Sequence, residues 1–187
     1  MLLAVFSLVL SCVSPATVDS SVEIAEPVSL ITWSECENSI GNHPCNLSAV
    51  NQFGQQENLY DYIGQPVIID FSAAWCGPCR SAATDVQATQ DIYSDVDLAY
   101  LTILIENRYG EPPSIADLEE WAEASGIIDA PVLGGSRENL NNDDPTQGWF
   151  LQGWPTFYFI DKDMTVRGYL RGYSAEALEE GIQTITE

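Results

Sequence analysis

A chain that runs Val67-Ile68-Ile69-Asp70-Phe71 and then, a few residues on, Cys76-Gly77-Pro78-Cys79 has few folds open to it. The first run is short, β-branched and apolar at consecutive rather than alternate positions. It reads as a strand buried on both faces, as in the centre of an α/β sheet. Such a strand needs a packed layer on each side. The second run opens a helix. Pro78 is tolerated in a first turn, and Ala82, Val86, Thr89 and Tyr93 recur at helical spacing up to about residue 93.

The remaining pattern extends the same class. Leu98 to Ile105 is a second apolar strand. Ser114 is a plausible N-cap with Asp117 at N3; Ile115, Leu118, Trp121 and Ala122 make an apolar face, and Gly126 stops the helix. Val132-Leu133 is a short strand. Residues 134–148, rich in Asn, Asp and Gly, read as an exposed acidic loop with at most one helical turn. Phe157–Ile160 and Met164–Leu170 flank a charged turn at Asp161-Lys162-Asp163, a hairpin signal. Ser174 caps a last helix through Ala177, Leu178 and Ile182. The expected fold class is α/β, one central mixed sheet with helices on both faces.

Two cysteines separated by two residues at a helix start bring both sulfurs into a small ring that opens and closes without backbone rearrangement. The helix N-terminus offers free N–H groups and partial positive charge to the first sulfur, which stabilises a thiolate at Cys76. Only the thiolate attacks a disulfide. Two plainer readings stand beside this one. A zinc half-site would need a second pair, which Cys36, His43 and Cys45 supply on paper. A purely structural disulfide over so short a loop gains little chain entropy.

Cys36 and Cys45 enclose Gly41, Asn42 and Pro44, a loop easily closed by a disulfide. The expected pairing is structural; a second redox pair, free thiols or a metal site are the alternatives. The fifth cysteine, Cys12, follows the apolar run MLLAVFSLVL and Ser11. That run has the length of a signal-peptide core and is too short to span a bilayer. A small residue followed by cysteine there resembles a bacterial lipobox, which would make Cys12 the lipidated first residue of the mature chain. Ordinary secretion with cleavage near Ser14 to Ala16 is the alternative, and a buried structural N-terminus a third. Residues 1–11 are thus assigned to a signal peptide, 12–29 to a lipid-anchored tether and 30–187 to the folded domain. An exported chain meets an oxidising compartment, where cysteine pairs become disulfides.

Charge excludes some partners. With 28 acidic and 6 basic side chains the net charge is −22. A basic nucleic-acid face is excluded and electrostatic docking on anionic lipid is disfavoured, leaving a lipid anchor as the expected membrane contact. The acidity is most simply a solvated surface, with a basic partner as a weaker reading. The single histidine, His43, excludes a site that needs several imidazoles.

The segment Asp70-Phe71-Ser72-Ala73-Ala74-Trp75-Cys76-Gly77-Pro78-Cys79-Arg80 resembles the active-site segment of the thioredoxin superfamily, and Gly153-Trp154-Pro155-Thr156-Phe157 is similar to its cis-proline loop. The resemblance covers about residues 44–187. Residues 46–64 and the helix at 114–125 are similar to the N-terminal extension and inserted helix of the exported, membrane-tethered thioredoxin-like branch, some of which serves cytochrome maturation. The resemblance implies a thioredoxin fold with those two additions and a thiol–disulfide oxidoreductase. Cys76 would be the nucleophile and Cys79 the resolving thiol. Asp70 would be a proton acceptor whose pKa is raised by burial; the plainer reading is a strand-end aspartate facing water. Pro155 would form the cis peptide. Trp75, Gly77, Pro78, Trp154 and Thr156 would border the substrate. Trp149, Phe150 and Trp154 either pack in the core and loops or line that groove. The Gly-Pro pair resembles reducing members, so reduction is favoured over oxidation or isomerisation. Expected partners are disulfide-containing proteins and a membrane electron donor, with no cofactor or metal, acting as a monomer on the periplasmic side of a bacterial membrane. Departures from the pattern are Arg80 after the second cysteine, Trp154 before the proline, no mid-helix proline, and the acidic loop. A thiol peroxidase would need Thr or Ser three residues before the reactive cysteine, where this chain has Ala73.

Overall fold

In the computed structural model, which describes residues 31–141 and 143–187, the sheet grows outward from its most apolar strand. A small hairpin, β1 (Ser48–Val50) and β2 (Gln56–Asn58), leads through a 3-10 turn at Leu59–Tyr62 into β3 (Val67–Ala73). Then follow α1 (Gly77–Ala83), α2 (Val86–Ile92), β4 (Ala99–Glu106), α3 (Ile115–Ser125), β5 (Val132–Gly134), β6 (Thr156–Ile160), β7 (Val166–Arg171) and α4 (Ala175–Thr186). The main sheet has the order β5-β4-β3-β6-β7. β3 runs parallel to β4 and antiparallel to β6, so the sheet is mixed, as expected. All seven residues of β3 are buried.

Alternation along β3 and β4 divides the core in two. Ile68 faces one cluster with Tyr100, Leu104, Phe157 and Phe159; Val67, Ile69 and Phe71 face the other with Leu101, Ile103 and Tyr158. Helical cover lies on both faces, but unequally. The first cluster takes buried side chains from all four α-helices, including Ala82, Val86, Trp121 and Ile182. The steps from β3 to β4 to β5 move outward in one direction, and crossovers of one hand place their helices on one face. Among the described residues the second face takes no α-helix; it is covered by the 3-10 turn through Leu59, Tyr60 and Tyr62, together with Trp33, Leu47, Leu140, Trp149 and Leu151. α4 lies so close to the sheet that a Cβ on Gly181 would sit 2.1 Å from the Phe159 ring.

The helix expected over residues 78–93 is broken at Thr84 and Asp85 without any proline. Thr84 Oγ1 donates to Ser81 O at 2.8 Å, and Asp85 N makes a tight bond to Ala82 O at 3.0 Å. Side-chain hydroxyls that compete for helix carbonyls bend the rod. α3 begins and ends where its caps predict. Ser114 and Asp117 form a reciprocal capping box, and Gly126 closes the helix at φ 71°. Residues 134–148 hold one 3-10 turn, Arg137–Asn139, but much of the segment is half-buried rather than exposed, because it helps cover the second face.

The N-terminal part of the described chain is tied to this face. Cys36 and Cys45 form a disulfide, with Cα atoms 4.8 Å apart. Within that loop the buried Asn38 donates from N to Pro145 O (2.9 Å) and from Nδ2 to Gly148 O (3.0 Å), while its Oδ1 accepts from Cys45 N (2.9 Å). Gln52 guards the sheet edge: its amide bonds Ala130 O at 3.0 Å and Val132 N at 2.8 Å, so the start of β5 is already paired. The proposed signal peptide, tether and Cys12 lie outside the described residues.

Candidate active site

β3 ends beneath the start of α1, and this junction sets the cysteines. Cys76 is the N-cap of α1, and its Sγ accepts from Cys79 N at 3.2 Å. The two form a disulfide, with Cα atoms 5.3 Å apart. They differ in access. Cys76 is 5% exposed and lies beside the exposed Trp75, Gly77 and Pro78, whereas Cys79 is fully buried. Any thiol that attacks from outside meets Cys76 first.

The Trp154–Pro155 bond is cis, and Pro155 O accepts from Gly172 N at 2.8 Å. The Trp154 ring stands edge-on to Trp75, centroids 6.2 Å apart. Two rings, one from each loop, thus border the disulfide. Thr156 does not face outward. It is buried, and its Oγ1 donates to Gly153 O at 2.8 Å, so its side chain shapes the turn instead of meeting a substrate. Trp149 packs in the core against Phe71 and Tyr158, and Phe150 packs on Tyr169.

Asp70 lies on the helix face of β3 with no solvent exposure, so the water-facing alternative fails. Its Oδ1 accepts from Ser72 Oγ at 2.8 Å, and its Oδ2 has no partner. Burial pushes its pKa up to about 7, against a smaller lowering by the Ser72 bond. A carboxyl in that range can hold or release a proton near neutrality.

One residue of this region, Glu106, was not singled out in the sequence. Glu106, at the end of β4, is 5% exposed and bonds both Trp75 Nε1 (2.8 Å) and Arg137 Nε. Burial raises its pKa, but the bonds from Arg137 and Trp75 outweigh that and hold it below the usual range. One buried carboxylate therefore fixes the ring beside Cys76 and the start of the loop that returns to Trp154. The only sequence signal was a charge ending the apolar run of β4. Arg80 donates to Ala74 O at 2.9 Å, bracing the same turn. Among the described residues, no group of three or more His, Cys, Asp or Glu side chains is placed to hold a metal ion.

The AhpC/TSA family matches residues 40–169, more than two thirds of the chain. The chain is 43% identical over 37 residues to thioredoxin H2 of Arabidopsis thaliana, a match that spans 20% of this chain and 28% of that relative. Among solved structures, a thiol:disulfide interchange protein of the thioredoxin family from Chlorobium tepidum TLS superposes with a TM-score of 0.61 at 20% identity, covering 83% of this chain and all of that one. The exposed lipoprotein thioredoxin Etrx1 of Streptococcus pneumoniae TIGR4 gives 0.55 at 23% identity, over 74% of this chain and 99% of that one. The family match and these superpositions agree on the architecture: the chain belongs to the AhpC/TSA family and has a thioredoxin-like fold, with Cys76 and Cys79 joined at the start of α1.

Proposed function

We propose that this chain reduces disulfides of extracytoplasmic proteins through Cys76 and Cys79. The observation that carries the reading is the pairing of a reachable Cys76 with a buried Cys79, on a helix start above the unpaired carboxyl oxygen of Asp70. In the reduced chain the Cys76 thiolate attacks a substrate disulfide; one substrate sulfur leaves with the bonding pair and a mixed disulfide forms. Cys79 then gives its proton to Asp70 and attacks Cys76 Sγ. The second substrate sulfur leaves, and two electrons have passed from the dithiol to the substrate. A dithiol donor, placed at the membrane, must return them. Trp75 and Trp154 border the incoming segment, and the cis-proline loop offers it backbone to pair with. Ala73 argues against a peroxidase.

The same proposal places the chain outside the cytoplasm, anchored through Cys12. The segment MLLAVFSLVL-Ser11-Cys12 supports it, as does the likeness to an exposed lipoprotein thioredoxin. Cys36–Cys45 then serves as a structural clasp. Mass analysis of the mature N-terminus, expected to show a diacylglyceryl cysteine at position 12, checks the anchor; an unmodified chain beginning elsewhere sinks it.

The reduction potential of Cys76/Cys79, set against glutathione or dithiothreitol buffers, tests the direction. A value near or below about −250 mV is expected of a reductase. A value of about −120 to −180 mV would make the chain an oxidase or isomerase and reverse the proposed flow.

A further inference from the structure

The disulfide-exchange reading, on which this inference rests, leaves a proton without a visible way out. A carboxyl with a pKa of about 7 gives up its proton above that pH, yet no face of Asp70 meets water. Thr102 lies directly across from Asp70 in β4, and Tyr100 lies opposite Ile68, two residues along the same face. Asp70 Oδ2, Thr102 Oγ1 and Tyr100 Oη are all buried and all lack a protein partner. Buried polar atoms are almost always paired, by protein or by water. A group of such atoms on neighbouring strands offers a bound water the partners it needs.

A second tyrosine belongs to the same cluster. Tyr173, just beyond β7, packs on the same core cluster as Tyr100 and against Phe157, the β6 partner of Asp70. The Tyr173 hydroxyl donates to Asp85, which is exposed at the break between α1 and α2. Burial first, and then the charges of Asp70, Tyr173 and Asp85, raise the pKa of Tyr100. From α3 the same cluster receives Trp121, whose Nε1 is also buried and unpaired.

We propose that Tyr100 relays protons between Asp70 and solvent, along the route Asp70, Tyr100, Tyr173, Asp85. When Cys79 sulfur bonds to Cys76 Sγ, the Cys79 proton passes to the Asp70 carboxylate. Protonated Asp70 then gives a proton, through the bound water that these unpaired atoms would hold, to the Tyr100 oxygen. The hydroxyl proton of Tyr100, which has no protein partner, moves on through a second bound water to Tyr173, that of Tyr173 to Asp85, and Asp85 releases one to bulk water. Both tyrosines end as they began, one proton has left, and no electrons travel the route. The bent helix has a use here, since the break carries Asp85 to the far end of the path.

The test uses the reduced full chain, mixed at pH 8 in weak buffer with 5,5′-dithiobis(2-nitrobenzoate), whose thiolates stay ionised. Closure of Cys76–Cys79 then frees the Cys79 proton. Thiolate absorbance reports closure and an indicator dye reports the proton. In the native chain the two traces coincide. In Tyr100→Phe closure keeps its rate while the proton lags by about tenfold, below what a positioned acid or base itself contributes. Tyr173→Phe lags less, and added imidazole, a small proton carrier, shortens both lags. A change in packing alone would slow closure and would not respond to imidazole. A folded Tyr100→Phe chain with coincident traces overturns the relay. Should that variant not fold, Tyr173→Phe decides, and coincident traces there overturn it equally. A native chain that never closes its disulfide on the reagent refutes the exchange reading instead.

Discussion

The two disulfides of this chain differ less in their bonds than in their surroundings. Cys36–Cys45 closes a loop of nine positions and Cys76–Cys79 one of three. Loop entropy hardly separates them, since the two closures are worth about 3 and about 2 kcal/mol. What separates them is what the sulfurs face. Cys45 Sγ lies 3.6 Å from Thr146 O, and the nearby His43 is occupied by Met164 O and stacked on Trp33. Cys76 faces the N–H groups of a helix start, beside the exposed Trp75 and the half-buried Trp154 that packs on it, with Asp70 buried in the strand beneath. A cysteine pair becomes a redox centre when one sulfur is reachable as a thiolate and the other has a proton acceptor in reach. The N-terminal pair has backbone carbonyls for company and holds segments together.

The largest effect should come from exchanging the fates of the pairs. Cys76→Ser is expected to lower disulfide exchange by more than about a thousandfold, since it removes the nucleophile outright. The double variant Cys36→Ser/Cys45→Ser should keep exchange within about twofold and lose about 3 kcal/mol in urea unfolding. Loss of exchange in a folded double variant would break the contrast and make the N-terminal pair an electron relay.

Asp70→Asn sharpens the contrast from the side of charge. The folded chain holds the Asp70 proton up to about pH 7, whereas an ordinary Asp releases it at 3.8. Between those values the folded state binds the extra proton, so this group's contribution to stability falls as pH rises, by about 1.4 kcal/mol per unit and about 4 kcal/mol in all. Asp70→Asn removes that slope. Urea unfolding of the oxidised variant and native chains at pH 5 and pH 8 should show the variant gaining chiefly at pH 8. Its resolution of mixed disulfides should slow by about a hundredfold. Equal unfolding differences at both pH values would mean that Asp70 is ionised throughout.

Glu106→Gln should act least. It weakens the anchor of Trp75 and frees Arg137, which is largely exposed and well screened. Substrate KM should rise several-fold, as expected for about 1 kcal/mol of lost hydrogen bonding, while the resolving step is unchanged. A fall in the resolving rate at constant KM would place Glu106 in the chemistry instead.

What could be read from the sequence was what the sequence states locally. The β3 run, the capped α3, the β6–β7 hairpin and the Cys76–Cys79 turn each carry their own signal within a dozen residues. The β1–β2 hairpin carried none, since its strands are three residues long and one of them reads Gln56-Glu57-Asn58. The break after Ala83 escaped because hydroxyls, not a proline, cause it. In the site, Cys76 and Cys79 were legible from their spacing at a helix start, and Asp70 and Pro155 through the resemblance of their segments to the thioredoxin superfamily. Glu106 beside Trp75, and Tyr100 and Thr102 beside Asp70, follow from the β3–β4 register and the closing of distant loops, which no local spacing announces.

Asn38 has a consequence in time. It ties a loop made early in the chain to residues 145 and 148, more than a hundred positions later. Closing so long a span is entropically costly until the intervening sheet exists to hold its ends near each other. The stretch that leads to Gly153, Trp154 and Pro155 is therefore among the last parts of the domain to settle. The chemical half of the site, on β3 and α1, is built from neighbours and can form first. Recognition is completed after reactivity, and a chain caught midway has its thiols but not yet its groove.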